Sequence, residues 1–180
     1  MSLNNLATML SELGRREEAL TQAEEAVRLY RQLAAARPDA FLPNLAMSLN
    51  NLANRLSDLG RREEALAQAE EAVRLRRQLA AARPDAFLPA LAKSLAVCGN
   101  IKAEEQPAQA LICYEESLRL LTPPFLRLPQ AHAPLMQGIV GVYFQTLQTT
   151  GQEPDMELLT LIIEQLQRLE DANAETPGES

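Results

Sequence analysis

The sequence is poor in the residues that most often carry chemistry or stabilise sheets. In 180 residues it has no tryptophan, three tyrosines, four phenylalanines, one histidine and two cysteines. A poor supply of aromatic and β-branched residues disfavours sheets, whereas abundant alanine and leucine favour helices. One histidine and two cysteines without a CxxC spacing make neither a credible zinc site nor a disulfide framework. We therefore expect no metal and no cofactor.

The few candidate reactive groups lack the neighbours that catalysis needs. His132 has no cysteine or serine motif nearby that it could activate, and we interpret it as a surface or partly buried loop histidine beside a helix start. We interpret Cys98 and Cys113 as reduced core thiols, because free cysteine is among the most buried residue types. The sequence therefore predicts a protein without enzymatic activity.

The chain also lacks an excess of positive charge and any long hydrophobic run. Acidic residues outnumber basic ones by 24 to 17, and the formal net charge is −7. Nucleic-acid binding requires clustered Lys and Arg, so this balance argues against it. No apolar run reaches the ~18 residues that a membrane-spanning helix requires, and no secretory signal is visible. We expect a cytoplasmic protein with neither nucleic-acid nor membrane partners.

What the sequence does contain is an internal duplication. Residues 47–92 repeat residues 1–46, and the two blocks are identical at 40 of 46 positions. Self-similarity at such a period is typical of stacked repeats, in which each unit buries its apolar face against the next. Apolar residues within each block recur every three or four positions, which indicates helices. The sequence thus predicts an all-α array.

Each block is predicted to hold two helices. In the first block Gly14 ends the first helix, and the second helix runs from about residue 15 to residue 36, before Pro38. In the second block we expect a first helix over 43–59, with Pro43 in its first turn. Successive helix pairs are therefore expected to be joined by a loop around Pro38 and its counterpart.

The third block diverges from the first two. Cys98 and Gly99 stand where the second block has leucine and alanine, and one residue is missing before the second helix. We expect Pro107 to open that helix and Pro123-Pro124 to end it. Such drift is expected near the end of an array, where the outer face changes.

The C-terminal region is predicted to hold two more helices. A helix from Pro129 is apolar on most sides, and Gly138 and Gly141 are expected to allow close contacts. After a turn at 151–155, a last amphipathic helix caps the array, and residues 172–180 are predicted to be a frayed polar tail. The inward residues of the last helix are predicted to be Leu158, Leu159, Ile162, Ile163, Leu166 and Leu169.

The order of large and small residues in the helix pairs resembles the tetratricopeptide repeat. The matching positions are Leu3, Leu6, Ala7, Gly14, Ala19 and Ala26, and in the second block Leu49, Leu52, Ala53, Gly60, Ala65 and Ala72. The resemblance implies a right-handed superhelix of helix pairs at 1–42, 43–88 and 89–122, followed by a half-repeat and capping helix at 123–171. The 46-residue period exceeds the usual ~34 and resembles the repeats of kinesin light chains and bacterial signalling scaffolds.

In that family the first helices line a concave groove that binds peptides. The resemblance implies a groove site at Asn5, Asn51, Asn54, Asp58, Lys93 and Asn100. Asn5 and Asn51 match a place where the family's asparagines hold a peptide backbone, and a carboxamide offers both a donor and an acceptor. The alternative is that the first-helix asparagines, including Asn4 and Asn50, bond across neighbouring repeats as a ladder. The sequence leaves both open.

Lys93 also matches a lysine of the clamp that holds the C-terminal carboxylates of chaperone tails. The resemblance is incomplete there, because Met1 and Val97 stand where the clamp requires basic residues. We therefore do not expect this chain to be a chaperone-tail receptor.

The function that the resemblance implies is a non-catalytic protein–protein interaction scaffold that binds a peptide or helix. Glu12, Asp58 and Glu104 share one register of successive helices, which mildly favours a basic partner. The alternative is a spacer or sensor arm of a larger signalling or protease-type protein. Because the first repeat begins mid-helix without a polar cap, we also expect either a longer array or a homo-oligomer formed through that face.

Overall fold

The computed structural model describes residues 2–174, which form eight helices and no strand. The all-α prediction is confirmed. The helices are α1 (Leu3–Glu12), α2 (Arg16–Ala36), α3 (Pro38–Asp58), α4 (Arg62–Ala82), α5 (Pro84–Lys102), α6 (Pro107–Arg127), α7 (Pro129–Thr150) and α8 (Met156–Ala174).

The helices stack in chain order as hairpins. Each helix from α1 to α8 packs against the next, so that α1–α2, α3–α4 and α5–α6 form three pairs. The first helices of the pairs also contact one another, α1 with α3, α3 with α5 and α5 with α7, whereas within residues 2–174 the backbones of α2, α4 and α6 stay apart. The first helices therefore form a continuous inner layer and the second helices a more open outer layer. The predicted helical-hairpin solenoid is confirmed.

Glycines in left-handed conformation form the turns inside the first two pairs. Gly14 and Gly60 have φ of 75° and 74°, which glycine adopts without the steric penalty that a Cβ would bring. The residues that follow close the turns, since Arg15 N donates to Leu10 O and Arg61 N donates to Leu56 O, both at 2.9 Å. The predicted ends of these first helices are confirmed.

Single residues connect the pairs, which differs from the expected loops. Arg37, Arg83 and Leu128 each separate two helices, with φ near −140°. Helix α3 consequently starts at Pro38, five residues before the expected start at Pro43. Proline is favoured at either position as a first-turn residue, so the local signal is ambiguous.

Packing of an aromatic residue settles where these helices begin. The ring of Phe41 lies 5.0 Å from the Arg37 guanidinium and 6.5 Å from the Tyr30 ring centroid. In the next repeat the Arg83 guanidinium lies 5.0 Å from the ring of Phe87. These contacts hold the segment after each single-residue connection in a helical turn.

The expected end of the sixth helix at Pro123-Pro124 is wrong, because α6 continues to Arg127. Phe125, directly after the two prolines, is fully buried, and burial of this ring outweighs the local preference to stop. His132 was expected in a loop and instead lies half-buried in the first turn of α7.

Small residues hold the hairpins together and the last helix closes the core. Ala53 and Ala65 are fully buried, as expected for helices that approach closely. At the C-terminal end Leu159 and Ile162 are fully buried, and the other predicted inward residues of α8 pack around them. Helix α8 extends to Ala174, and the rest of the predicted tail lies outside the described residues.

Candidate functional site

A groove on the inner layer lies between α5 and α7. It has a volume of ≈ 330 Å³, and its α5 wall contains two of the predicted site residues, Lys93 and Asn100. Both are exposed. The groove combines this polar edge with a mostly apolar lining, which consists of Ala96, Val97, Pro134, Leu135, Gly138, Ile139 and Val142.

Asn100 also belongs to a second, adjoining cavity of ≈ 440 Å³. There the Tyr114 hydroxyl donates a hydrogen bond to Asn100 Oδ1 at 2.8 Å. Burial raises the pKa of Tyr114 to about 12, so this hydroxyl stays protonated and remains a donor. The contact fixes the orientation of the Asn100 carboxamide. Its Nδ2 group makes no hydrogen bond within residues 2–174 and can donate to a ligand.

The predicted asparagines of the earlier repeats occupy the same register. Asn54 is the counterpart of Asn100, 46 residues earlier, and Asn51 is the counterpart of Val97. Asn51 and Asn54 are half-buried and Asn5 is exposed. Within residues 2–174 none of these three side chains makes a hydrogen bond. They form a row of unengaged carboxamides, and their role in a groove stays a prediction.

A different pair of asparagines forms the inter-repeat ladder. Asn4 Nδ2 donates to Ser48 Oγ at 2.8 Å, and Asn50 Nδ2 donates to Ser94 Oγ at 2.7 Å. Asn4 and Asn50 are only 3% and 7% exposed. The ladder alternative is therefore correct for these two residues, each of which immediately precedes a candidate groove residue.

The ladder ends at the third repeat. Ala96 stands where Asn50 stands in the second repeat, and it belongs to the apolar cluster around Met136 and Ile139. The junction between α5 and α7 is thus apolar where the two earlier junctions of first helices are hydrogen-bonded. The sequence signal was available, since a serine follows each ladder asparagine by 44 residues.

The acidic residues at the ends of the first helices are largely engaged. Arg62 forms an ion pair with Glu104. In the preceding repeat the Asp58 carboxylate lies 3.5 Å from Arg55, and the Asp58 carbonyl accepts a hydrogen bond from Arg16 at 3.4 Å. These acids thus contact arginines of their own and neighbouring helices, which reduces the negative charge they present to a ligand.

Two glycines of α7 do not behave as expected. A Cβ atom at Gly138 or Gly141 would meet no other atom within 4 Å, so neither permits a close helix contact. The close approach lies at Gly99 on α5, where a Cβ would come 2.5 Å from Cε1 of Tyr114. Gly99 and Tyr114 replace Ala53 and the alanine that precedes Glu70 in the second repeat.

The start of the array exposes apolar side chains. Met9 of α1 is 50% exposed, and Leu13, directly after α1, is 71% exposed. Self-association through this face stays a prediction. No helix within residues 2–174 is long and apolar enough to cross a membrane.

Comparison with known proteins agrees with the repeat geometry. Residues 1–36 and 45–83 match the family model of the tetratricopeptide repeat, and a search of curated proteins found no match. Repeats of this family generally mediate protein–protein interaction and are typically non-catalytic. The match covers the first two helix pairs, and the third continues the same stack. Residues 1–36 and 45–83 are therefore tetratricopeptide repeats.

Proposed function

We propose that this chain binds a segment of a partner protein along the inner layer formed by α1, α3, α5 and α7. The observation that carries this proposal is the groove between α5 and α7, which joins an apolar lining to Lys93 and Asn100. An apolar lining provides burial for partner side chains, and a few polar groups orient the ligand. The proposed site residues are Asn5, Asn51, Asn54, Asp58, Lys93 and Asn100.

The carboxamides favour recognition of a peptide backbone. Asn51, Asn54 and Asn5 have no intramolecular hydrogen bond through their side chains within the described residues, so each can offer a donor and an acceptor. Amide groups of an extended segment present the complementary acceptor and donor irrespective of side chain. This mode binds many sequences, and the apolar lining then selects among them.

We propose only a small preference for basic residues in the partner. Asp58 and Glu104 contribute negative charge at one end of the inner layer, but both have arginine neighbours. Lys93 is exposed on the same layer and favours an acidic group or a C-terminal carboxylate near α5. Exposed charges are screened by salt, so charge is expected to set orientation more than affinity.

A peptide selection tests the proposal. A random library displayed on phage would be selected against the purified chain, and binding of a labelled hit measured by fluorescence anisotropy. Asn51→Ala is expected to weaken binding by about tenfold, the equivalent of one lost hydrogen bond. Gln68→Ala provides the control, because it removes a carboxamide from α4 in the outer layer.

Backbone chemistry gives the sharper comparison. N-methylation of single peptide amides in the hit should abolish binding at the positions that the asparagines contact, whereas exchange of neighbouring side chains should not. The proposal fails if no selected peptide binds, or if Gln68→Ala weakens binding as much as Asn51→Ala does.

A second candidate role, a spacer or sensor arm in a larger protein, is favoured by the ties between repeats. The asparagine–serine ladder and an ion pair of 2.7 Å between Arg77 and Glu116 of consecutive outer helices stiffen the array. Energy transfer between fluorophores at the two ends should then show a narrow distance distribution that Asn50→Ala broadens. With only two cysteines and no disulfide framework, the location that we propose is the cytoplasm.

A further inference from the structure

Both cysteines line one groove on the outer side of the array. This groove, of ≈ 530 Å³, lies between α4, α5 and α6. Cys98 of α5 is 4% exposed, Cys113 of α6 is half-buried, and both are free thiols. Each thiol shifts the pKa of the other. They are therefore neighbours on facing helices, with the α6 thiol the more accessible.

The residues that follow the two cysteines contact each other between α5 and α6. Gly99 and Tyr114 each follow one of the cysteines, and a Cβ at Gly99 would lie 2.5 Å from the Tyr114 ring. The absence of a side chain at Gly99 thus leaves room for the Tyr114 ring against the backbone of α5.

The groove carries more positive than negative charge. Its cations are Lys102, Arg74 and Arg77, and its carboxylates are Glu70 and Glu116. Lys102 Nζ lies 3.3 Å from Glu70, and Arg77 lies 2.7 Å from Glu116. Within the described residues Arg74 has no ion pair. Of these groups Lys102 favours a Cys113 thiolate, whereas Glu116 and Glu70 oppose it.

The two thiols differ in their readiness to ionise. Interaction with the Cys98 thiol lowers the pKa of Cys113 to about 7, and the charge of Lys102 acts in the same direction, against the opposing effect of burial. Interaction with the Cys113 thiol, together with burial, raises the pKa of Cys98. Since the thiolate is the nucleophile, Cys113 is the reactive group and Cys98 keeps its proton near neutral pH.

The corresponding groove of the preceding repeat has none of this chemistry. It lies between α2, α3 and α4, has a volume of ≈ 440 Å³, and contains Leu52 and Gln68 where the third repeat has the two cysteines. The counterpart of Lys102 is Leu56. Three of the substitutions that distinguish the third repeat thus meet at one place.

We propose that Cys113 and Cys98 form a modification site for small hydroperoxides, in which Cys113 is oxidised first and Cys98 resolves the product as a disulfide between α6 and α5. The two cysteines line a different groove from the one that contains Lys93 and Asn100.

The two steps balance as follows. The Cys113 thiolate attacks the terminal peroxide oxygen, an S–O bond forms as the O–O bond breaks, and the departing oxygen takes a proton from solvent as water or an alcohol. The sulfur is now a sulfenic acid. The Cys98 sulfur then attacks it, an S–S bond forms as the S–O bond breaks, and the hydroxyl leaves with the Cys98 proton as water.

The purified, fully reduced chain would be treated with hydrogen peroxide and examined by intact-mass spectrometry and peptide mapping. We expect a monomer that has lost two hydrogen atoms and a single bond that links the peptides of residues 98 and 113. Cys98→Ser should stop the reaction at a sulfenic acid on Cys113, trapped with dimedone. Cys113→Ser should give neither product. Circular dichroism would show that each variant is folded.

The rate of alkylation by iodoacetamide, measured as a function of pH, reports how the neighbouring charges affect the thiolate of Cys113. The midpoint for Cys113 is expected near pH 7, with Cys98 unreactive until higher pH. Lys102→Leu restores the residue found at Leu56 and should move the midpoint upward, since Glu70 and Glu116 then act on the thiolate with only Arg74 and Arg77 opposing them. A rise of one pKa unit corresponds to about fivefold slower alkylation at pH 7.

Several outcomes would overturn the proposal. These are first alkylation at Cys98, a disulfide that joins two chains, or oxidation of Cys113 to sulfinic acid without a disulfide. A folded wild-type chain that does not react with peroxide would also overturn it.

Discussion

The second and third helix pairs have the same arrangement of helices, but different side chains pack between those helices. In the second pair, α3 and α4 pack against each other at buried alanines such as Ala53, and Leu52 lines the outer groove. In the third pair a glycine, Gly99, takes the place of Ala53, and the fully buried ring of Tyr114 packs against it. A large residue opposite a smaller one keeps the volume between the helices filled. The smaller residue at position 99 and the larger residue at position 114 therefore compensate for each other in volume.

The largest effect is expected where the repacking is tightest. Tyr114→Ala should cost about 3–5 kcal/mol of unfolding free energy, because it empties a fully buried site. Gly99→Ala should cost about 1–3 kcal/mol by overpacking against the ring. The double variant recreates the alanine pair of the second repeat and should cost less than the sum of the two, as measured by urea denaturation. Additivity within about 0.5 kcal/mol would show that the two positions are independent.

A smaller difference in unfolding free energy is expected between alanine variants of Leu52 and Cys98, which line equivalent grooves. Leu52→Ala is expected to cost roughly 2–5 kcal/mol, whereas Cys98→Ala removes only one buried sulfur atom and should cost roughly 1 kcal/mol. Both variants would be compared by urea denaturation under reducing conditions. Equal losses would mean that the thiol is as important to packing as the leucine, and would weaken the case that its role is chemical.

The smallest effect distinguishes two adjacent asparagines. Asn50→Ala removes the hydrogen bond to Ser94 and should cost about 1 kcal/mol. Asn51→Ala should change the free energy of unfolding by no more than about 0.5 kcal/mol, because its side chain has no intramolecular hydrogen bond within residues 2–174. Thermal melts of the two variants provide a matched comparison. A greater loss for Asn51→Ala would contradict the ladder described here.

The repeat plan could be predicted from the sequence, because duplicated blocks and turn glycines carry strong local signals. The helix starts could not, since Pro38 and Pro43 both satisfy the first-turn preference and only the packing of Phe41 distinguishes them. The end of α6 was misplaced for a similar reason: burial of Phe125 overrides two prolines.

The inner layer was predicted in outline and not in detail. Asn50 and Asn51 differ by one position, about 100° around the helix axis, and sequence periodicity alone does not show which of them meets the next repeat. The thiol groove was missed because its members come from three helices. Comparison of the second and third blocks would have marked Cys98 and Lys102 as departures four residues apart, on one face of a helix, but not Cys113 as their neighbour.

The single-residue connections at Arg37 and Arg83 have a consequence for how such a protein can lengthen. Only one residue separates one hairpin from the next at these positions. An insertion there would therefore rotate all following helices about the axis of the stack. A whole 46-residue cassette can be added without that rotation, because it brings its own connector of the same φ and ψ. Duplication of a complete repeat is therefore the way of lengthening that this connection permits. The near-identity of the first two blocks is consistent with such a duplication.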